Sequence, residues 1–215
     1  VSTAPLDLRG GTMQLGLALD DAQLERLARL GAELARWNKT YNLTSVDDPR
    51  RILTHHLLDS LTALPLLEGA RVADVGTGGG FPGLPLAIAA PGRHFTLIDT
   101  VEKKLRFVAH AARTLGLTNV TTLHARVENS APAKPYDTVV TRAFAPLPRL
   151  CGWVQPLCDA HTRVIAMKGR WPPAQGSEEA GALPAGWHIE DVRAVTVPGL
   201  DAGRHLLSLR WRSPA

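Results

Sequence analysis

The chain has little sulfur and few aromatic rings. Cys151 and Cys158 are its only cysteines, two residues are methionine, and aromatic residues make up 5%. Two cysteines seven positions apart, with no further Cys to complete a ligand set, indicate neither a disulfide framework nor a zinc site. Both read as small core residues rather than a redox pair. No apolar run approaches the roughly 20 residues that a membrane helix needs. The opening stretch, Val1 to Arg9, lacks the charged-then-apolar layout of a signal peptide. The expectation is a cytoplasmic protein, a monomer, with no membrane contact and no metal.

Charge of one sign is also scarce. The formal balance is +4 with a pI near 9.4, a mild excess that suits a polyanionic partner without demanding one. Hydrophobic residues at 45% and charged residues at 20% are ordinary for a globular chain. A length of 215 residues suits one main domain with a small appendage.

Residues 1–19 carry Pro5, Gly10, Gly11 and Gly16 among few periodic apolar positions, so the first dozen are expected to fray. From an N-cap near Asp20, Leu24, Leu27, Leu34 and Trp37, with the small Ala28, Gly31 and Ala35 beside them, recur at helical steps. Asp48 followed by Pro49 is a second helix start, continued by Ile52, Leu53, Leu57, Leu61 and Leu64. These helices make an N-terminal extension over 20–68, joined by the polar stretch from Asn38 to Ser45.

From residue 69 to 215, short β-rich runs alternate with helical stretches, as in a doubly wound α/β fold. The strands are expected at 71–75, 94–98, 120–124, 138–141, 163–167, 188–197 and 205–211. Helices are expected at 82–90, 101–116 and 147–158, and 171–183 reads as a surface loop. The last two strands are joined by Pro198-Gly-Leu-Asp-Ala-Gly203, too short for a crossover helix. The sheet should therefore be mostly parallel and end in an antiparallel hairpin.

The strongest local signal is Val72-Ala-Asp-Val-Gly-Thr-Gly-Gly-Gly-Phe-Pro-Gly83, a strand running into glycines that open a helix. Gly76, Gly78 and Gly80 let backbone turn sharply and approach a ligand. A dinucleotide fingerprint would want glycine at position 81, where the chain has Phe81, so nicotinamide is disfavoured. Asp74 sits two residues before the first glycine, and Asp99 closes the next strand, where an acid can accept both hydroxyls of a ribose. A bland reading also exists: any βαβ unit needs a tight turn, and Asp99 could simply cap the helix that begins near Thr100. The two acids with the glycines resemble the first two cofactor motifs of Rossmann-like methyltransferases, which implies S-adenosyl-L-methionine as cofactor.

The acceptor is narrowed by missing parts. Exocyclic amine methylation usually comes with an Asn/Asp-Pro-Pro-aromatic tetrapeptide after the fourth strand, where this chain reads Thr141-Arg-Ala-Phe-Ala-Pro146. A pyrimidine carbon needs a Cys nucleophile there, and Cys151 lies well beyond, in a helix. Guanine N7, whose free lone pair needs no prior proton removal, fits what is left, and such an enzyme works by alignment and electrostatics rather than by a general base. Cations punctuate the strand ends where substrate lies in such sheets: Arg126, Arg142, Lys168 and Arg170. Lys39, Asn42 and His56 could fold over the same edge. Against this, Arg126 and Arg142 could pair with Glu128 or Asp137, and Lys168 could be a solvated strand end. Trp153, Trp171 and Trp187 read as core or loop anchors before stacking platforms, and His55 as an exposed helix residue.

Several stretches together resemble one family, the bacterial small-subunit (16S) ribosomal RNA guanine-N7 methyltransferases, also called glucose-inhibited division protein B. They are 37–45, 56–60, 74–85, 97–100 with 103–107, 126–128, 141–145, 167–169 and 197–205, in order along most of the chain. The resemblance implies that Gly76 and Phe81 line the cofactor, Asp99 holds its ribose, Val127 and Glu128 flank the adenine, and Arg142 reaches the methionine end. It associates Asn42, His56, Arg126 and Lys168 with substrate or active-site polarity. It also implies small-subunit ribosomal RNA as partner, naked or within the assembled subunit. Many members carry Pro where this chain has Gly79, and residues 1–20 match no part of the pattern. A small-molecule methyltransferase and a non-catalytic RNA-binding relative remain as rival readings, separable by methyl transfer and by the salt dependence of RNA binding.

Overall fold

A computed structural model describes residues 6–130 and 132–213. Its centre is a seven-stranded sheet of β1 (Arg71–Val75), β2 (His94–Asp99), β3 (Val120–His124), β4 (Thr138–Arg142), β5 (Arg163–Lys168), β6 (Trp187–Val195) and β7 (Arg204–Trp211). The order is β3-β2-β1-β4-β5-β7-β6. The first five strands are parallel, β7 lies antiparallel to β5, and β6 pairs antiparallel with β7 at the edge. The expected hairpin is present, with its second strand on the inner side.

The strands alternate faces at the two-residue period of β structure. Val72, Leu97, Val140 and Ile165 enter one core with the N-terminal helices, while Ala73, Ile98, Val139 and Val164 enter the other. Helix α1 spans Leu8–Gln14, α2 Asp21–Tyr41, α3 Pro49–Ile52 and α4 Asp59–Leu61. The first core also takes α5 (Gly83–Ala89) and α6 (Glu102–Thr114), and the second takes α7 (Leu147–Val154). The N-terminal extension thus shares its apolar contacts with one face of the sheet.

Asp20 starts α2 with a full capping box: its carboxylate accepts from Gln23 N, and the Gln23 side chain accepts from Asp20 N. The buried stripe is Leu24, Leu27, Leu30, Leu34 and Asn38. Ala28, assigned to that stripe from spacing, is exposed, and Leu30 takes its place. The first dozen residues also differ from expectation, since 8–14 form a helix. Asp7 caps it through Gly10 N. Gly11, lacking a Cβ, lets it seat against Leu58, whose Cδ1 a Cβ would meet at 2.5 Å. Residues 1–5, part of the segment expected to be flexible, lie outside the described residues.

The helix started by Asp48 and Pro49 does not run on regularly. After α3 it widens into a π-helical stretch, Leu53–Leu58, before α4. Such wide turns often mark functional positions because they shift side chains off the α-helical face. Here the stretch carries His56, and Asp59 follows it.

Candidate functional site

Two cavities meet at the C-terminal ends of β1, β2 and β4. The larger, of about 360 Å³, is a cleft lined among others by Gly76, Asp99, Lys104, Val127, Glu128, Phe144 and Trp153. The smaller, of about 200 Å³, is walled by Leu34, Leu43, Thr44, His56, Gly76–Gly79, Phe81, Arg142 and Ala143. Gly76 and Ala143 belong to both. Gly76 has φ +68°, and a Cβ there would run into the Phe144 ring. Gly78 also has positive φ, +58°, with open space where a Cβ would stand. Backbone is thereby bared to both cavities, as close approach to a ligand requires.

Asp99 is nearly buried, yet it faces the larger cleft. One carboxylate oxygen accepts from Gly78 N and the other from Val101 N, both at 2.8 Å. It therefore caps the following helix while facing the cleft. An ionised carboxylate has about four lone-pair sites, so after two backbone donors each oxygen can still accept one hydroxyl, as a ribose diol requires. Val127 and Glu128 line the same cleft, with Arg126 3.6 Å from Glu128 and largely exposed. Phe144 and Trp153 meet edge to face at 5.5 Å, so Trp153 lines the cleft, while Trp187 is core.

Asp74 is placed elsewhere than the sequence reading had it. It shares the inward face of β1 with Val72, is fully buried and lines neither cavity. Its Oδ2 accepts from Thr77 Oγ1 at 2.6 Å and Gly83 N at 2.7 Å, which ties both ends of the glycine turn together. Among the described residues its Oδ1 has no hydrogen-bond partner. Burial raises its pKa to about 6, against the opposing pull of those two hydrogen bonds. Asp74 thus shapes the turn from behind, one layer away from both cavities.

The smaller pocket has an ordered polar wall. Arg142 donates to Asp59 Oδ2 at 2.9 Å, to the His55 carbonyl at 2.7 Å and to His56 Nδ1 at 3.2 Å. Arg204 donates to the other Asp59 oxygen at 2.9 Å. His56 is buried, stacks on Phe81 at 4.8 Å, and places Nε2 3.0 Å from Thr44 Oγ1. Burial first, and then the Arg142 charge, lower its pKa to about 3, so it is neutral at physiological pH.

Of the other expected site residues, Asn42 caps α2 in the left-handed region (φ 48°) and is exposed in a groove shared with Lys39 and Thr44. It is not brought to His56 and Arg142. Lys168 is not brought there either. Its ammonium donates to the Ala145 carbonyl at 2.7 Å and to Glu179 at 3.0 Å, so it tethers the segment after β4 to the loop after β5. Arg170 and Lys39 are exposed. Thr44, Asp59, Lys104 and Phe144 went unassigned in the sequence. An acid set among the leucines of Leu57-Leu-Asp-Ser-Leu61 was the available signal for Asp59.

A sheet in this order, with glycine turn and strand-end acid at one edge, is that of the S-adenosylmethionine-dependent methyltransferases. A solved structure of this fold, a SAM dependent methyltransferase from Aquifex aeolicus, superposes with a TM-score of 0.54 at 19% identity, covering 79% of this chain and 97% of that one. Residues 23–207 match the family rRNA small subunit methyltransferase G, and the chain belongs to it. Relatives named ribosomal RNA small subunit methyltransferase G include one from Pseudomonas syringae pv. tomato, 44% identical over 95% of both chains. One from Aromatoleum aromaticum is 46% identical over 94% of this chain and 96% of its own. Among the described residues, no helix is long and apolar enough to cross a membrane.

Proposed function

We propose that the chain transfers a methyl group from S-adenosyl-L-methionine to N7 of a guanine in small-subunit (16S) ribosomal RNA, acting as a cytoplasmic monomer. The cofactor supplies an electrophilic methyl on a sulfonium. Asp99, Val127 and Glu128 hold the adenosyl end in the larger cleft, and the backbone from Gly76 to Phe81 with Arg142 borders its methionine end.

The observation that carries the N7 assignment is the composition of the smaller pocket. His56 is neutral with both ring nitrogens engaged, and Arg142 is bonded to Asp59, His55 and His56. Neither can remove a proton from the acceptor, and no Cys lines this pocket. A purine N7 needs neither service, because its lone pair is free. What the pocket offers is alignment against a rigid wall and a fixed positive charge. Exposed Lys39, Arg126 and Arg170 provide for phosphate contacts.

The test is incubation with methyl-labelled cofactor and small-subunit ribosomal RNA, free or in assembled subunits, followed by nucleoside analysis. Label in 7-methylguanosine is expected. Label confined to another nucleoside overturns the N7 assignment, and label confined to small molecules overturns the RNA substrate.

A further inference from the structure

The wall of the smaller pocket fixes the direction of each hydrogen bond at one hydroxyl. Arginine has only donors, so the 3.2 Å contact from Arg142 makes His56 Nδ1 an acceptor. A neutral imidazole that accepts at Nδ1 carries its proton on Nε2, and Nε2 therefore donates to Thr44 Oγ1 at 3.0 Å. Val46 N donates to the same oxygen at 3.1 Å. A hydroxyl has two acceptor sites and one proton. Both acceptor sites of Thr44 are thus filled, and its proton has no acceptor among the described residues.

The position is as constrained as the protonation. Thr44 N donates to the side-chain oxygen of the buried Asn38 at 2.8 Å, which pins the loop after α2. Behind His56, Arg142 is clamped by Asp59, and Asp59 by Arg204. Thr44 itself lines the pocket that also exposes Gly76–Gly79 and Arg142.

We infer that Thr44 is a specificity-determining residue: its hydroxyl, made donor-only by His56 and Val46, donates to the O6 carbonyl of the guanine whose N7 is methylated. The inference rests on the N7 reading and deepens it. Guanine presents N7 and O6 side by side as acceptors, whereas adenine presents N7 beside an amino donor. An ordinary hydroxyl could rotate to accept from that amine. This one has no lone pair left, so adenine would meet donor against donor and be rejected.

The test deletes each half of the proposed hydrogen bond. Full-length small-subunit ribosomal RNA is assembled by splint ligation with either guanine or 2-aminopurine, which keeps N7 and lacks O6, at the methylated position. Wild-type protein is assayed first, and label outside 7-methylguanosine there identifies failure of the N7 reading itself. With that reading intact, wild type should lose about tenfold in kcat/KM on 2-aminopurine, as for a lost neutral hydrogen bond. Thr44→Val should be slower on guanine and lose less than about twofold further on 2-aminopurine, and Thr44→Ser should restore the wild-type penalty. An undiminished 2-aminopurine penalty in Thr44→Val, or no penalty in wild type, overturns the assignment. Cofactor affinity measured alongside should be equal in all three proteins. If Thr44→Val fails to fold, Thr44→Ala takes its place, and an undiminished 2-aminopurine penalty in that variant overturns the inference in the same way.

Discussion

Arg142 and Asp59 lie 83 positions apart in the chain, and their 2.9 Å ion pair fastens the end of β4 to the helices that precede the sheet. Asp59 is almost wholly buried and answers two arginines, Arg142 and Arg204. The pair therefore fixes one wall of the smaller pocket and holds His56 at the same time.

Breaking a buried pair costs about 3–5 kcal/mol, because the remaining charge stays buried and uncompensated. Asp59→Ala strands two guanidinium groups and should lose stability in this range. Arg142→Ala leaves Asp59 paired with Arg204 and should lose less, while turnover falls steeply with the fold intact. Urea unfolding and single-turnover rates on the two variants check both statements. Equal stability losses would show that Arg204 contributes nothing to the buried acid.

Asp99→Ala should weaken cofactor binding by roughly 1.5–3 kcal/mol, the range for hydrogen bonds to a charged group. The same change frees Gly78 N and Val101 N, so Asp99→Asn, which keeps one acceptor oxygen, should fall between wild type and Ala. Titration calorimetry reads both, and unchanged affinity in Asp99→Ala would remove this residue from the site.

The parallel strands were legible because each alternates or runs apolar between turn residues, and Asp20 and Asp48 announced their helices through side chains suited to capping. The larger cleft was legible for a similar reason: its parts, Gly76, Asp99 and Val127–Glu128, are local to three strand ends. The smaller pocket was not. Thr44 and Asp59 acquire their meaning from partners on other elements, and a π-helical turn without a local sequence signal aims His56. Lys168 read as a free strand-end cation because nothing local shows that Glu179, in a Gly/Pro-rich loop, reaches back to it. Asp74 could have been read better, since alternation with Val72 already turned it into the core.

Asp74 makes a pH-dependent contribution of definite sign. Its folded-state pKa, about 6, lies above its ordinary value of 3.8, so ionising it in place is unfavourable. Below about pH 4 it is protonated folded or unfolded and costs nothing, and the cost grows until about pH 6, reaching about 3 kcal/mol at 1.36 kcal/mol per unit. Asp74→Asn removes it. The stability difference between Asp74→Asn and wild type should therefore shift in favour of the variant as pH rises from 4 to 7. A difference constant across that window would contradict the assignment.

Replacing both cysteines by alanine should leave turnover within about twofold. Cys151 is fully buried in the second core and burial pushes its thiol up to about 12. Burial likewise raises the Cys158 thiol, whose sulfur donates to the Val154 carbonyl. Neither supplies a thiolate at neutral pH. Loss of methyl transfer in a folded double variant would restore a covalent route.

The central claim is the atom that receives the methyl group. Small-subunit ribosomal RNA from cells lacking the gene is incubated with this protein and S-adenosyl-L-methionine, then treated with borohydride and aniline, which cleaves the chain at 7-methylguanine. One new cofactor-dependent cleavage at a guanine is expected, absent with Arg142→Ala. Methyl incorporation without any new cleavage would contradict it.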